Sequence, residues 1–215
     1  LKISVSGIKK IEALTKKDSA IISLSQGAMR LGGIPQQIKK YVQDLMLTNK
    51  SDYYEHHCGI SLLRERLSTI LSNQYNSTIE KDQIIITHGC IGGLSILFLT
   101  LLQEGDEVII PEPAYPAYKN LADVSRATVK YVSCLENSKD LTWSLDPEKI
   151  KQATTDKTKI IIFSNPCNPT GMVVPQETIL ELVDWCEKKG IYLVIDEAYI
   201  DYCFRGEFLS GLQLV

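Results

Sequence analysis

Lys159-Ile160-Ile161-Ile162-Phe163-Ser164-Asn165-Pro166-Cys167-Asn168-Pro169-Thr170-Gly171 is the stretch that decides the fold. Its first half is an unbroken apolar run, with no alternation of polar and apolar positions. Such a run needs cover on both faces, as in a parallel sheet held between helix layers. Its second half carries two prolines around an asparagine, which end the strand at about position 164 and stiffen the loop behind it. Working outward, the next segment places Ile179, Leu182, Val183 and Cys186 on one face of a helix over 176–189. Gly190 ends that helix, and 191–195 is another apolar strand. On the other side, Asp146-Pro147 caps a short helix that runs to Ala153.

Further toward the start, strands are expected at 83–86, 107–110 and 128–132. An apolar helix to Leu102 and a helix beginning near Tyr115 separate them. Residues 60–75 predict a helix with Leu63, Leu67, Ile70 and Leu71 on its apolar face. Shorter helices are expected at 8–17 and from Pro35 to about Leu47, with a brief extended run at 21–24 and a polar linker at 49–52. Strands alternating with helices predict an α/β fold, a three-layer α/β/α sandwich with a mostly parallel sheet.

Composition limits the function classes. The 215 residues are 44% hydrophobic and 23% charged, which is ordinary for a globular protein. A net charge of −3 favours neither a nucleic acid nor an acidic membrane as partner. The longest apolar stretch, 91–102, is too short to span a bilayer and suits a buried helix. The six cysteines form no Cys-x-x-Cys pair, so neither a zinc site nor a disulfide framework is expected. Reduced cysteines and the absence of a signal peptide at Leu1-Lys2-Ile3-Ser4 lead to an expected cytoplasmic location. The missing initiator methionine implies a trimmed start.

Three strand ends could build one site, since ligands of open parallel sheets lie beyond the carboxyl ends of the strands. Thr87-His88-Gly89-Cys90-Ile91-Gly92-Gly93 joins a strand to the apolar helix. A helix start offers unpaired N–H groups to an anion, although the plainer reading is a tight turn whose glycines permit packing. The loop 164–171 is a rigid mount for a polar group that orients a ligand, or else a Pro/Asn turn. Asp196-Glu197-Ala198-Tyr199 puts an aspartate at a buried strand end. That aspartate needs a cationic partner, or it caps the next turn.

Together these elements resemble the fold-type-I pyridoxal-phosphate (PLP) enzymes, specifically the class I/II aminotransferases. The motifs are Asn165-Pro166-Cys167-Asn168-Pro169-Thr170-Gly171 and Asp196-Glu197-Ala198-Tyr199. Tyr54-Glu55-His56-His57-Cys58-Gly59-Ile60, Gly105-Asp106-Glu107-Val108 and Pro113-Ala114-Tyr115 support them. The resemblance implies that residues 1–48 are an N-terminal arm with a small-domain segment, and that 49–215 are the first, incomplete part of the PLP-binding large domain. It implies that Asp196 bonds the pyridinium nitrogen, that Asn168 and Tyr199 bond the phenolic oxygen, and that Tyr115 stacks on the ring. The N–H groups of Cys90 and Ile91 would hold the phosphate, Tyr54 would reach the phosphate of a neighbouring subunit in a homodimer, and Gly27 would lie near the substrate carboxylate. Amino acids and 2-oxo acids would be the substrates.

This chain departs from the family at the phosphate turn, where Cys90 and Ile91 replace small or hydroxyl-bearing residues, and after Gly27, where Ala28-Met29-Arg30-Leu31 stand. The family's Schiff-base lysine lies a few dozen residues beyond the Asp-x-x-Tyr motif, and no lysine follows Lys189 before Val215. Three alternatives stay open: a PLP lyase or synthase of the same fold, a truncated non-catalytic binding protein, and an NAD-binding domain. The last lacks its glycine fingerprint. The 215-residue chain by itself is expected to be inactive in transamination. An amino-transfer assay on purified chain should give only the background rate, and a measurable rate overturns this expectation.

Overall fold

A computed structural model describes residues 7–15, 20–22, 33–137, 139, 142–204 and 208–214. The chain divides into two compact units, one within Lys2–His57 and the other within Cys58–Val215. The first contains helices α1 (Gly7–Thr15) and α2 (Gln36–Met46) and a 3-10 turn at Asn49–Ser51. Pro35 is the N-cap of α2, and Leu47 closes it. The expected linker at 49–52 is therefore partly helical. Thr48 seats that turn by accepting the Lys50 N–H on its hydroxyl.

The second unit contains α3 (Ser61–Tyr75), α4 (Gly89–Leu101), β1 (Glu107–Glu112), α5 (Ala117–Val124), β2 (Thr128–Ser133), β3 (Leu135–Asn137), β4 (Thr142–Trp143), α6 (Pro147–Ala153), β5 (Thr158–Ser164), α7 (Gln176–Lys189) and β6 (Tyr192–Asp196). Four strands form one sheet in the order β2-β1-β5-β6, and every neighbouring pair is parallel. The strand pleat sends alternate side chains to opposite faces. Val108, Ile110, Ile160 and Ile162 pack with Leu94 and Phe98 of α4 and Tyr118 and Ala122 of α5. Ile109, Ile161 and Phe163 pack with Ile150 of α6 and Ile179, Leu182 and Cys186 of α7. Each core is thus one side of the isoleucine run, and three layers follow. Asp146 caps α6 through the N–H groups of Glu148 and Lys149, and Gly190 ends α7 at φ 65°, a backbone that glycine adopts without a Cβ clash.

Three expectations need correction. Residues 83–86 are not a ladder strand: a 3-10 turn occupies Lys81–Gln83, and the Ile86 N–H reaches only the Cys58 carbonyl, at 2.9 Å. Only half of the apolar face expected for α3 turns inward: Leu67 and Leu71 are half-buried, whereas Leu63 and Ile70 are exposed. The buried residue is Arg64, whose guanidinium donates to the Lys81 carbonyl and to Asp82. The antiparallel pair β3–β4 was not expected at all. Among the described residues no helix is long and apolar enough to cross a membrane.

Ile161 is fully buried on the α6/α7 side. Ile161→Ala should lower the unfolding free energy by about 2–5 kcal/mol, as buried Ile-to-Ala changes do. A urea titration would show this as a lower midpoint with an unchanged slope.

Candidate active site

From β1 the chain crosses to β2 on one side, and later places β5 and β6 on the other. The strand order therefore reverses between β1 and β5. Sheets of this kind hold ligands beyond the carboxyl ends of their strands at such a reversal.

The loop after β5 is held from several directions. Asn165 is fully buried; its N–H donates to the Asp196 carbonyl at 2.9 Å, and its Oδ1 accepts the Val174 N–H at 2.9 Å. Backbone bonds of 2.7 Å from Cys167 N–H to Met172 and from Gly171 N–H to Cys167 close the turn. The Cys167 thiol lies 3.7 Å from the Pro113 carbonyl and donates to it, tying this loop to the one after β1. Asn168 is fixed through its N–H, which donates to Ser164 Oγ at 2.9 Å. Its Nδ2 donates to the Tyr199 hydroxyl at 3.3 Å. The structure thus brings Asn168 and Tyr199 together across the ends of β5 and β6.

Asp196 is the last residue of β6 and pairs with Ser164. It shares its face with Val194, which packs against the α4/α5 core. Its Oδ1 accepts the Ala198 N–H at 3.1 Å, so the turn-capping role holds for one oxygen. The other oxygen has a phenol where the sequence reading asked for a cation: Tyr118 donates its hydroxyl to Oδ2 at 2.8 Å. Tyr118 is 1% exposed. Burial first, and the Asp196 charge second, push its phenol far above the usual range, so it remains a donor. A hydrogen bond to a charged group contributes about 1.5–3 kcal/mol. Sequence reasoning missed Tyr118. The signal was the spacing Tyr115-Pro116-Ala117-Tyr118 at a helix start, which sets the second ring beneath the first. The two rings meet edge to face at 5.7 Å, and Tyr115 is exposed.

At the start of α4, Gly89 turns the chain with φ 69°, and His88 precedes it without a side-chain cap. The first-turn N–H groups, those of Cys90 and Ile91 among them, therefore meet no capping side chain, and both residues are exposed. The packing reading also holds at Gly93, where a Cβ would come 3.3 Å from Thr87 Oγ1. Tyr54 belongs to the other compact unit and is fully exposed. Gly27, Arg30 and their neighbours lie outside the described residues. The donor set suits a phosphorylated pyridine: a carboxylate for a ring nitrogen, an amide and a phenol for a ring oxygen, and a helix start for a dianion.

The sequence profile described as aminotransferase class I and II matches residues 19–213. The chain belongs to this family. A probable aspartate aminotransferase of Methanocaldococcus jannaschii is 37% identical over 161 residues, which are 75% of this chain and 42% of that protein. A tyrosine aminotransferase of Dictyostelium discoideum is 28% identical over 191 residues, 87% of this chain and 45% of that protein. A solved structure of the Thermus thermophilus aspartate aminotransferase with maleate matches with a TM-score of 0.88 at 26% identity, covering 99% of this chain and 55% of that one. The chain spans about half the length of these relatives. Members of the class I and II aminotransferases generally use PLP.

In this aminotransferase chain the residue beside Asp196 has a separate task. Glu197 faces the other way and accepts from Ser210 Oγ at 2.8 Å and from the Gly211 N–H at 2.7 Å, fastening residues 208–214. Burial is the largest influence on Glu197 and raises its carboxyl above the usual 4.5; the two hydrogen bonds pull it back, and the Asp196 charge raises it further. A carboxyl whose folded-state affinity for protons is raised favours folding at low pH and loses that contribution as pH rises through its folded value. Relative to Glu197→Gln, the wild-type protein should therefore lose stability between pH 4 and pH 7. Paired urea titrations at the two pH values measure the difference, and equal differences would remove the burial argument.

Proposed function

We propose that the protein carrying this chain is a PLP-dependent aminotransferase that moves an amino group between an amino acid and a 2-oxo acid. The observation that carries the reading is the meeting of Asp196, Asn168 and Tyr199 at the ends of adjacent strands, beside the point where strand order reverses. The names of its relatives support the reaction class. Residues 49–215 would be the first part of the cofactor-binding domain, and 1–48 the arm and small-domain segment. The protein would work in the cytoplasm as a homodimer with a shared site.

When bound, the pyridine ring supplies a sink for the electron pair left at the substrate Cα. This chain's residues would hold and orient that ring. Asp196 would keep a proton on the ring nitrogen, which strengthens the sink. Asn168 and Tyr199 would donate to the ring oxygen and set the ring's rotation. Tyr115 would cover one face and exclude water there. The N–H groups of Cys90 and Ile91 would bind the phosphate, with Tyr54 reaching it from a second copy and Gly27 lining the substrate carboxylate.

The test uses the whole protein. With an amino acid and 2-oxoglutarate, the new oxo acid should form in step with glutamate, and Asp196→Asn should lower kcat/KM by about 10²–10³-fold, the scale of one lost electrostatic contact in a transition state. Oxo-acid release without any acceptor would replace the aminotransferase with a lyase. An unchanged Asp196→Asn rate would end the assignment of that residue.

A further inference from the structure

Asp196 is not free to choose its own direction. Both of its oxygens are engaged, Oδ1 by a backbone N–H of its own turn and Oδ2 by a phenol that arrives from α5, 78 positions earlier in the chain. The turn bond is local and forms wherever an aspartate caps its own loop. The phenol bond is different, because it ties the carboxylate to a ring anchored deep in the α4/α5 core. Ser164 pairs with Asp196 in the sheet and accepts the Asn168 N–H on its hydroxyl, so the strand pair that carries the carboxylate also carries the amide.

We propose that Tyr118 is a positioning residue: its hydroxyl fixes the Asp196 carboxylate against the cofactor's ring nitrogen and so sets how firmly that nitrogen holds its proton. The inference rests on the cofactor reading given above and adds a residue to it. Three observations support it. The phenol is buried, so the bond meets no competition from water. Its partner is an anion, and the donor stays protonated for the reasons given. The ring is held by the α4/α5 core and by the edge-to-face contact with Tyr115, which keeps the hydroxyl in place. The ionisable groups around this cluster are Cys167 from the β5 loop, Tyr115 against the Tyr118 ring and Tyr199 on Asn168, while Glu197 faces the other way and acts on Asp196 through its charge alone.

Pyridoxamine 5′-phosphate labelled with ¹⁵N in its ring is a suitable probe, because it binds without covalent attachment. The whole protein, loaded with it, is titrated with base while the ring nitrogen resonance is followed. Wild type should keep that nitrogen protonated to higher pH than Tyr118→Phe, by roughly one pH unit, and should bind the probe several-fold more tightly; one unit is a tenfold change in proton affinity. In an Asp196→Asn background, Tyr118→Phe should add nothing, since the phenol acts through the carboxylate. Phenylalanine keeps the buried ring, and Tyr118→Met, a second variant without the hydroxyl, should give a shift in the same direction should Tyr118→Phe fail to fold. A wild-type titration curve in both variants overturns the inference, as does an equal Tyr118→Phe shift with and without Asp196. Failure of the wild-type protein to bind the probe instead overturns the cofactor reading itself.

Discussion

The burial of β5 on both faces is the constraint from which the rest follows. Ile160, Ile161 and Ile162 expose nothing to solvent, and each alternate side chain needs its own helix layer. Two flanking strands and two helix layers satisfy that demand together. Because parallel strands need long crossovers, the helices that cover the sheet are also the connections between its strands. All strands then point the same way, and their carboxyl ends gather at one edge.

That edge owes its rigidity to hydrogen bonds rather than to apolar packing. Asn165 spans the gap from the β5 loop to the end of β6, and Cys167 spans the gap back to the loop after β1. Asn168 inherits its position from both, since its backbone is anchored on Ser164. The polar groups are thus set before any ligand arrives, which spares a binding step the cost of ordering them. Proline at positions 166 and 169 reduces the freedom that remains.

Much of this was legible in the sequence wherever local chemistry and tertiary packing agree. The limits of α7 match the reading because a helical stripe runs its full length and Gly190 stops it. The Asp146-Pro147 cap is likewise a local device. Asn168, Tyr199 and Asp196 could be grouped because strand ends of a parallel sheet share one edge. The misses are places where distant partners decide. Residues 83–86 have strand-like composition but find no ladder among the described residues, and α3 buries an arginine because carbonyl and carboxylate acceptors wait at 81–82. Tyr118 was passed over because its partner lies on a strand that sequence spacing cannot relate to it.

Asp196 and Glu197 are chemical near-twins with unrelated tasks, one turned to Tyr118 and one to the closing segment at 208–214. Only the pleat distinguishes them. A one-residue slip of β6 would turn Asp196 to the opposite face, away from the Tyr118 hydroxyl, and would carry Glu197 off Ser210 and Gly211 in the same step. The adjacent pair therefore acts as a parity check on assembly: a chain that threads wrongly forfeits its chemistry and its closure in one event, with no half-working product to persist.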